Sequence, residues 1–223
     1  MAHTAITEAY QYLELQMPEY MDAINFCLVA GGIRPGTWIT PYRQVDCAFR
    51  PVSEKVINQA LRAFPEIKSR RFMDAHRHRS AQIPTEPTAA SATTVLVYHQ
   101  SQQNLVNQLP PDLSHQGLTE LQSVILGKIL GYHCPGELAP GVGHIINYMI
   151  PNPWTGNPNG ILGQSCGYLT EERMMSIINF GQQMHDFFQA NDLDFPVILE
   201  IFRFKEIDGE YQKIIEYTQD YNN

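Results

Sequence analysis

Residues 195–204, FPVILEIFRF, and residues 211–218, YQKIIEYT, stand either side of Asp208-Gly209. Both runs are rich in β-branched and aromatic side chains, and Asp-Gly between two such runs is the strongest short signal for a β-hairpin. Pro196 does not argue against this, because proline is tolerated where a strand begins. Just upstream, Met174, Ile177, Ile178, Met184, Phe187 and Phe188 recur at three- and four-residue spacing, which predicts a helix over 170–190 with one apolar face. Thr170 is the expected N-cap. Glu171 and Glu172 complement the positive end of the helix dipole, and Asn191 is expected to take the left-handed conformation that ends the helix. With the runs at 144–150 and 161–169, residues 143–217 read as strand, long loop, strand, helix, strand, tight turn, strand.

Working outward, helices are expected over 4–15, over the stripe Met21, Ile24, Cys27 and Leu28 ending at Gly31-Gly32, and over Val56, Ile57, Ala60, Leu61 and Phe64 with Ser53 as cap. A further helix is expected at 115–130, capped by Ser114 and ended by Gly131. Residues 33–51, with Pro35-Gly36 and Pro41, predict irregular structure with one short strand, and 95–98 predict a strand. The fold class is therefore α+β: a mainly antiparallel sheet of about five strands in the C-terminal two-thirds, with helices 115–130 and 170–190 on one face. A helical N-terminal region precedes it. Pro84, Pro87 and the Ala, Ser and Thr that follow mark a connector at 85–94. This divides the chain into 1–84, packed on the rest as part of one globular unit, and 95–223.

The 223 residues carry a formal charge of −8 and are 43% hydrophobic, enough for a sizeable core. The acidic balance argues against general attraction to nucleic acid or to an anionic membrane surface. Only 17% of residues are charged while Asn and Gln are common, which favours a protein partner or self-association over a lone monomer. Cys27, Cys47, Cys134 and Cys166 show no C-x-x-C spacing, and the N-terminal residues lack the pattern of a signal peptide. These features predict a cytoplasmic protein with four free thiols and no disulfide.

No nucleotide-binding glycine motif, H-E-x-x-H or G-x-S-x-G is present, and nothing nominates a cofactor. Six constellations remain. Asp74, His76 and His78 alternate, so an extended strand would align them for a divalent metal. Arg70, Arg71, Arg77 and Arg79 crowd the same segment, and their guanidinium forks suit an anionic ligand, although a solvated basic segment has the same composition. Cys166 precedes a helix whose dipole favours a thiolate, with His144 the best-placed base; a buried structural cysteine is the simpler alternative. His133-Cys134 supplies two metal ligands and names no third. Glu200 lies in an apolar strand, where a carboxylate needs a partner or a function, and Arg203 faces away from it. Finally, the proline-rich loop 151–160 carries Trp154, a residue type enriched at contact hot spots, with a ring folded back over the domain's own core as the equal alternative. The leading expectation is a non-catalytic protein-binding or assembly module. A cysteine- or metal-dependent hydrolase or transferase and an anion-binding domain are the alternatives.

Overall fold

A computed structural model of the chain describes residues 4–17, 20–39, 42–45, 48–51, 54–73, 93–111, 118–134, 143–151, 158–207 and 209–222. It is mixed α+β with antiparallel sheets, in two compact units, Met1–Gly131 and Tyr132–Asn223.

The first unit opens with α1 (Ala5–Gln16), whose N-cap Thr4 accepts from the Thr7 amide, and α2 (Tyr20–Ala30). Gly32, at φ 75°, ends α2 in the left-handed conformation that glycine adopts most easily. β1 (Gly36–Ile39), the hairpin β2 (Tyr42–Val45) and β3 (Ala48–Pro51), and α3 (Glu54–Leu61) follow. β4 (Ile67–Met73) and β5 (Thr93–His99) complete an antiparallel sheet of order β1-β5-β4. A short helix α4 (Gln103–Val106) and α5 (Glu120–Ile129) close the unit. Leu13, Ile24, Phe26, Leu28, Ile57 and Leu96 are fully or almost fully buried in it. Gly36 is required by packing: a Cβ there would meet the Ile129 carbonyl oxygen at 2.8 Å.

Several expectations change here. The strand at 93–99 does not join the C-terminal sheet but pairs with β1 and β4, two strands in stretches whose composition predicts loop and a basic segment. Helix α5 belongs to this unit and starts at Glu120, because Thr119 and Gln122 form a capping box; Ser114 lies outside the described residues. The residues between 33 and 51 hold three short strands rather than one.

The second unit is a four-stranded antiparallel sheet of order β7-β6-β8-β9, made by β6 (His144–Pro151), β7 (Pro158–Cys166), β8 (Ile198–Ile207) and β9 (Glu210–Asp220). Gly209, at φ 83°, turns the expected two-residue hairpin between Ile207 and Glu210. Helix α6 (Glu171–Ala190) is capped by Thr170 as its sequence predicts and buries Ile177, Met184 and Phe188. The left-handed residue at its end is Asp192 (φ 54°), one later than expected, because the Asn191 side chain instead donates to the Phe187 carbonyl at 2.8 Å.

Register and alternation assign the two sheet faces. Gln164, Ile146, Tyr148 and Ile201 share the face under α6, where the Tyr148 hydroxyl donates to the Ile177 carbonyl at 2.8 Å. Glu200, Phe202, Phe204, Lys213 and Ile215 share the other. β6 pairs with β8 only over Met149↔Ile198 to Ile145↔Phe202, so from Arg203 onward β8 and β9 run on as a two-stranded ribbon.

Candidate functional site

Three features of the second unit bring chemistry-bearing side chains together. The first is a cleft of about 380 Å³ beside α6, lined by His133, Glu172, Met175, Ser176, Phe180 and Gln183 among others. His133 is placed by its backbone amide, which donates to the buried Gln164 Oε1 at 2.6 Å, and by the edge of Phe180, with ring centroids 5.3 Å apart. Its Nε2 lies 3.0 Å from the Tyr148 oxygen and its Nδ1 3.4 Å from Ser176 Oγ. Since the Tyr148 hydroxyl already donates to Ile177, it must accept from His133, so Nε2 carries the proton and Nδ1 accepts from Ser176. Burial pushes the imidazole pKa down to about 4, so the ring is neutral at neutral pH; burial also raises the Tyr148 phenol well above its ordinary range. The nitrogen turned away from Ser176 therefore meets a phenol, not a carboxylate that could stabilise an imidazolium. This geometry positions groups; it does not make Ser176 an activated nucleophile.

The second feature is a Cys134–Cys166 disulfide, with a Cα–Cα distance of 5.3 Å. It corrects the expectation of four free thiols. The two residues are 32 apart in sequence, and the β6–β7 hairpin carries Cys166 back to the segment that enters the sheet. Cys27 is free and buried, which pushes its thiol up to about 12, while Cys47 lies outside the described residues. As bonded, Cys166 is no nucleophile. His144 nevertheless stands where the sequence reading placed it, directly opposite Cys166 in the β6–β7 register. Its Nε2 meets Glu216 at 2.8 Å, and Glu216 also pairs with Arg203.

The third is the β8–β9 ribbon. Phe204, Tyr211 and Ile215 lie on its α6-distal face and are exposed to 48, 71 and 54%. Lys213 lies over the Phe202 ring, 4.2 Å from its centroid, and reaches the Glu200 carboxylate. Glu200 thus has its charge partner on β9, and Arg203 pairs on the opposite face, as alternation requires.

The remaining candidates separate. Arg70 donates to the carbonyls of Val106 and Leu109 and stacks over Phe72 at 4.6 Å, so its guanidinium ties a loop to β4. Arg71 is exposed on the same strand. Asp74, His76, Arg77, His78, Arg79 and Trp154 lie outside the described residues, and within those no group of three His, Cys, Asp or Glu is placed to hold a metal ion. Ser176, Tyr148 and Glu216 were not singled out from sequence. Only the cross-strand register reveals Glu216, while the inward parity of Tyr148 beside Ile146 was a usable signal. No helix among the described residues is long and apolar enough to cross a membrane. No protein-family model, curated protein or solved structure matches the chain.

Proposed function

We propose that this chain is a non-catalytic assembly module that associates with a second copy of itself through the β8–β9 ribbon. The observation that carries this is the cluster Phe204, Tyr211 and Ile215, three large exposed apolar side chains on one face of a ribbon that outruns the rest of its sheet. Apolar clusters of this kind on an outer surface mark contact sites more often than chance. β9 also offers an eleven-residue edge, paired among the described residues with β8 alone, and no proline interrupts it.

Charge placement supports a like partner. The face carries Glu200 and Lys213 as a pair, so it presents no strong field of one sign that would select an oppositely charged protein. Antiparallel pairing of two β9 strands about Ile214 sets Lys213 against Ile215 and Gln212 against Glu216, and opposes no like charges. Residence in the cytoplasm belongs to the same proposal, and such a reducing compartment would make the Cys134–Cys166 bond a reversible one.

Sedimentation velocity on the wild type and on a Tyr211→Lys, Ile215→Lys double variant tests it. The wild type is expected to dimerise in the micromolar range, and the variant to associate at least about tenfold more weakly with an unchanged melting temperature. A wild type that stays monomeric up to roughly 200 µM would end the self-association proposal.

A further inference from the structure

We propose that Cys134–Cys166 is a reversible bond whose reduction releases a redox-gated thiolate at the buried Cys166, with His144 as its proton acceptor and Glu216 holding His144 in place. The proposal stands on three observations. Cys166 and His144 are directly opposed in the β6–β7 register, so their side chains leave the same sheet face as nearest cross-strand neighbours. Glu216 occupies His144 Nε2, which makes Nδ1 the ring atom left to accept a proton. That Nδ1 is buried and has no hydrogen-bond partner among the described residues. A buried orphan acceptor beside a cysteine, on a ring whose other nitrogen is held by a carboxylate, is the arrangement by which a thiol is converted to a thiolate.

The chemistry balances with an external dithiol as reductant. One dithiol sulfur attacks the protein disulfide and displaces one cysteine as a thiolate; the second sulfur then closes the dithiol into its own cyclic disulfide and releases the other cysteine. Two electrons and two protons pass to the protein. Cys134 keeps its proton, while that of Cys166 moves to His144 Nδ1, leaving a thiolate beside an imidazolium that Glu216 stabilises.

The surrounding charges agree. On β8, Arg203 holds the other oxygen of Glu216 and so fixes the carboxylate. On the segment before β6, His133 is turned toward Tyr148 and Ser176. The competing acceptor is the Tyr168 carbonyl, 3.1 Å from Cys166 Sγ, which already accepts from Arg173 Nη1 at 2.9 Å. A thiol bonded to that carbonyl would remain protonated.

The test is the pH profile of iodoacetamide alkylation at Cys166 in the folded full-length chain, followed by peptide mass spectrometry. It uses the wild type reduced with dithiothreitol and a Cys134→Ser variant that leaves Cys166 without its disulfide partner. We expect alkylation with a midpoint at least about one pH unit below the ordinary thiol value of ~8.5, rising toward that value in His144→Gln and Glu216→Gln. Glu216→Gln preserves the side chain's shape, so it keeps the test open if His144→Gln fails to fold. A midpoint at or above the ordinary value that neither variant moves would overturn the proposal and assign the thiol to the Tyr168 carbonyl. Absence of alkylation at Cys166 at every pH in the folded, reduced chain would overturn it as well. Cys134 and His144 lie outside the ribbon, and because Glu216 is on β9 its variant is compared with the wild type at a dilution where both are monomeric, which separates this readout from dimerisation.

Discussion

Gly181 lies in the middle of α6, where alanine would ordinarily stabilise a helix by about 1 kcal/mol relative to glycine. The tertiary structure reverses that sign. A Cβ at Gly181 would clash with the hydroxyl-bearing edge of the Tyr221 ring, a side chain that is 7% exposed and whose hydroxyl donates to the Ile178 carbonyl at 2.8 Å. The ring belongs to a residue hydrogen-bonded through its amide to Val197, so it cannot swing aside as a loose surface side chain would. Overpacking of this kind costs about 1–3 kcal/mol, and losing the hydroxyl's hydrogen bond adds about 1 kcal/mol. Against a gain of about 1 kcal/mol from helix propensity, Gly181→Ala should therefore destabilise by about 1–3 kcal/mol. Urea unfolding followed by circular dichroism measures this, and a Tyr221→Leu background supplies the control. With the ring gone, the same substitution should become neutral or stabilising, giving a coupling energy above about 1 kcal/mol. If Gly181→Ala stabilises the wild type, the packing of the C-terminal residues on α6 described above is wrong.

Three further outcomes follow from the same packing. Phe188→Ala, at a fully buried position against Phe187 and Phe195, should cost about 3–5 kcal/mol in the same assay; a loss below about 1 kcal/mol would mean that this face of α6 is not core. His133 should titrate near 4 by histidine NMR. Because its folded pKa lies below the unfolded value of ~6.5, the unfolded chain binds more protons between the two. Its contribution is complete above pH ~6.5 and is lost as pH falls toward ~4, by about 2 kcal/mol for a ring with a partly exposed edge; His133→Gln should remove that dependence. Arg70→Lys should destabilise the first unit by about 1–3 kcal/mol, since an ammonium cannot reproduce a fork that reaches two carbonyls and stacks on Phe72; full retention of stability would show that the loop holds without it.

The parts of this fold legible in the sequence are those coded locally. The α6 stripe, its Thr170 cap and the Asp208-Gly209 hairpin each lie within one window of residues and are found where expected. The partners of β5 were not legible, because β1 is only four residues long and β4 hides its two buried positions, Ile67 and Phe72, among Lys68, Arg70 and Arg71. Periodicity cannot show an arginine that caps carbonyls from within a strand. The disulfide was missed for a related reason: spacing alone says nothing about Cys134 and Cys166 until a hairpin brings them together. His144 opposite Cys166 was legible, since strands joined by one loop pair more often than not. Glu216 was not, as its place beside His144 depends on the order of all four strands.

The strand order β7-β6-β8-β9 also dictates how this sheet assembles in time. Each outer pair is a hairpin of sequence neighbours and can zip on the microsecond scale typical of such units. The central β6–β8 seam joins strands separated by the whole of β7 and α6, so its closure entropy must be overcome before any contact rewards it. Docking of two preformed hairpins is then the slow event. Substitutions at Ile146, Tyr148, Leu199 or Ile201 should slow refolding, whereas those in the Phe204–Ile215 ribbon should leave the refolding rate almost untouched.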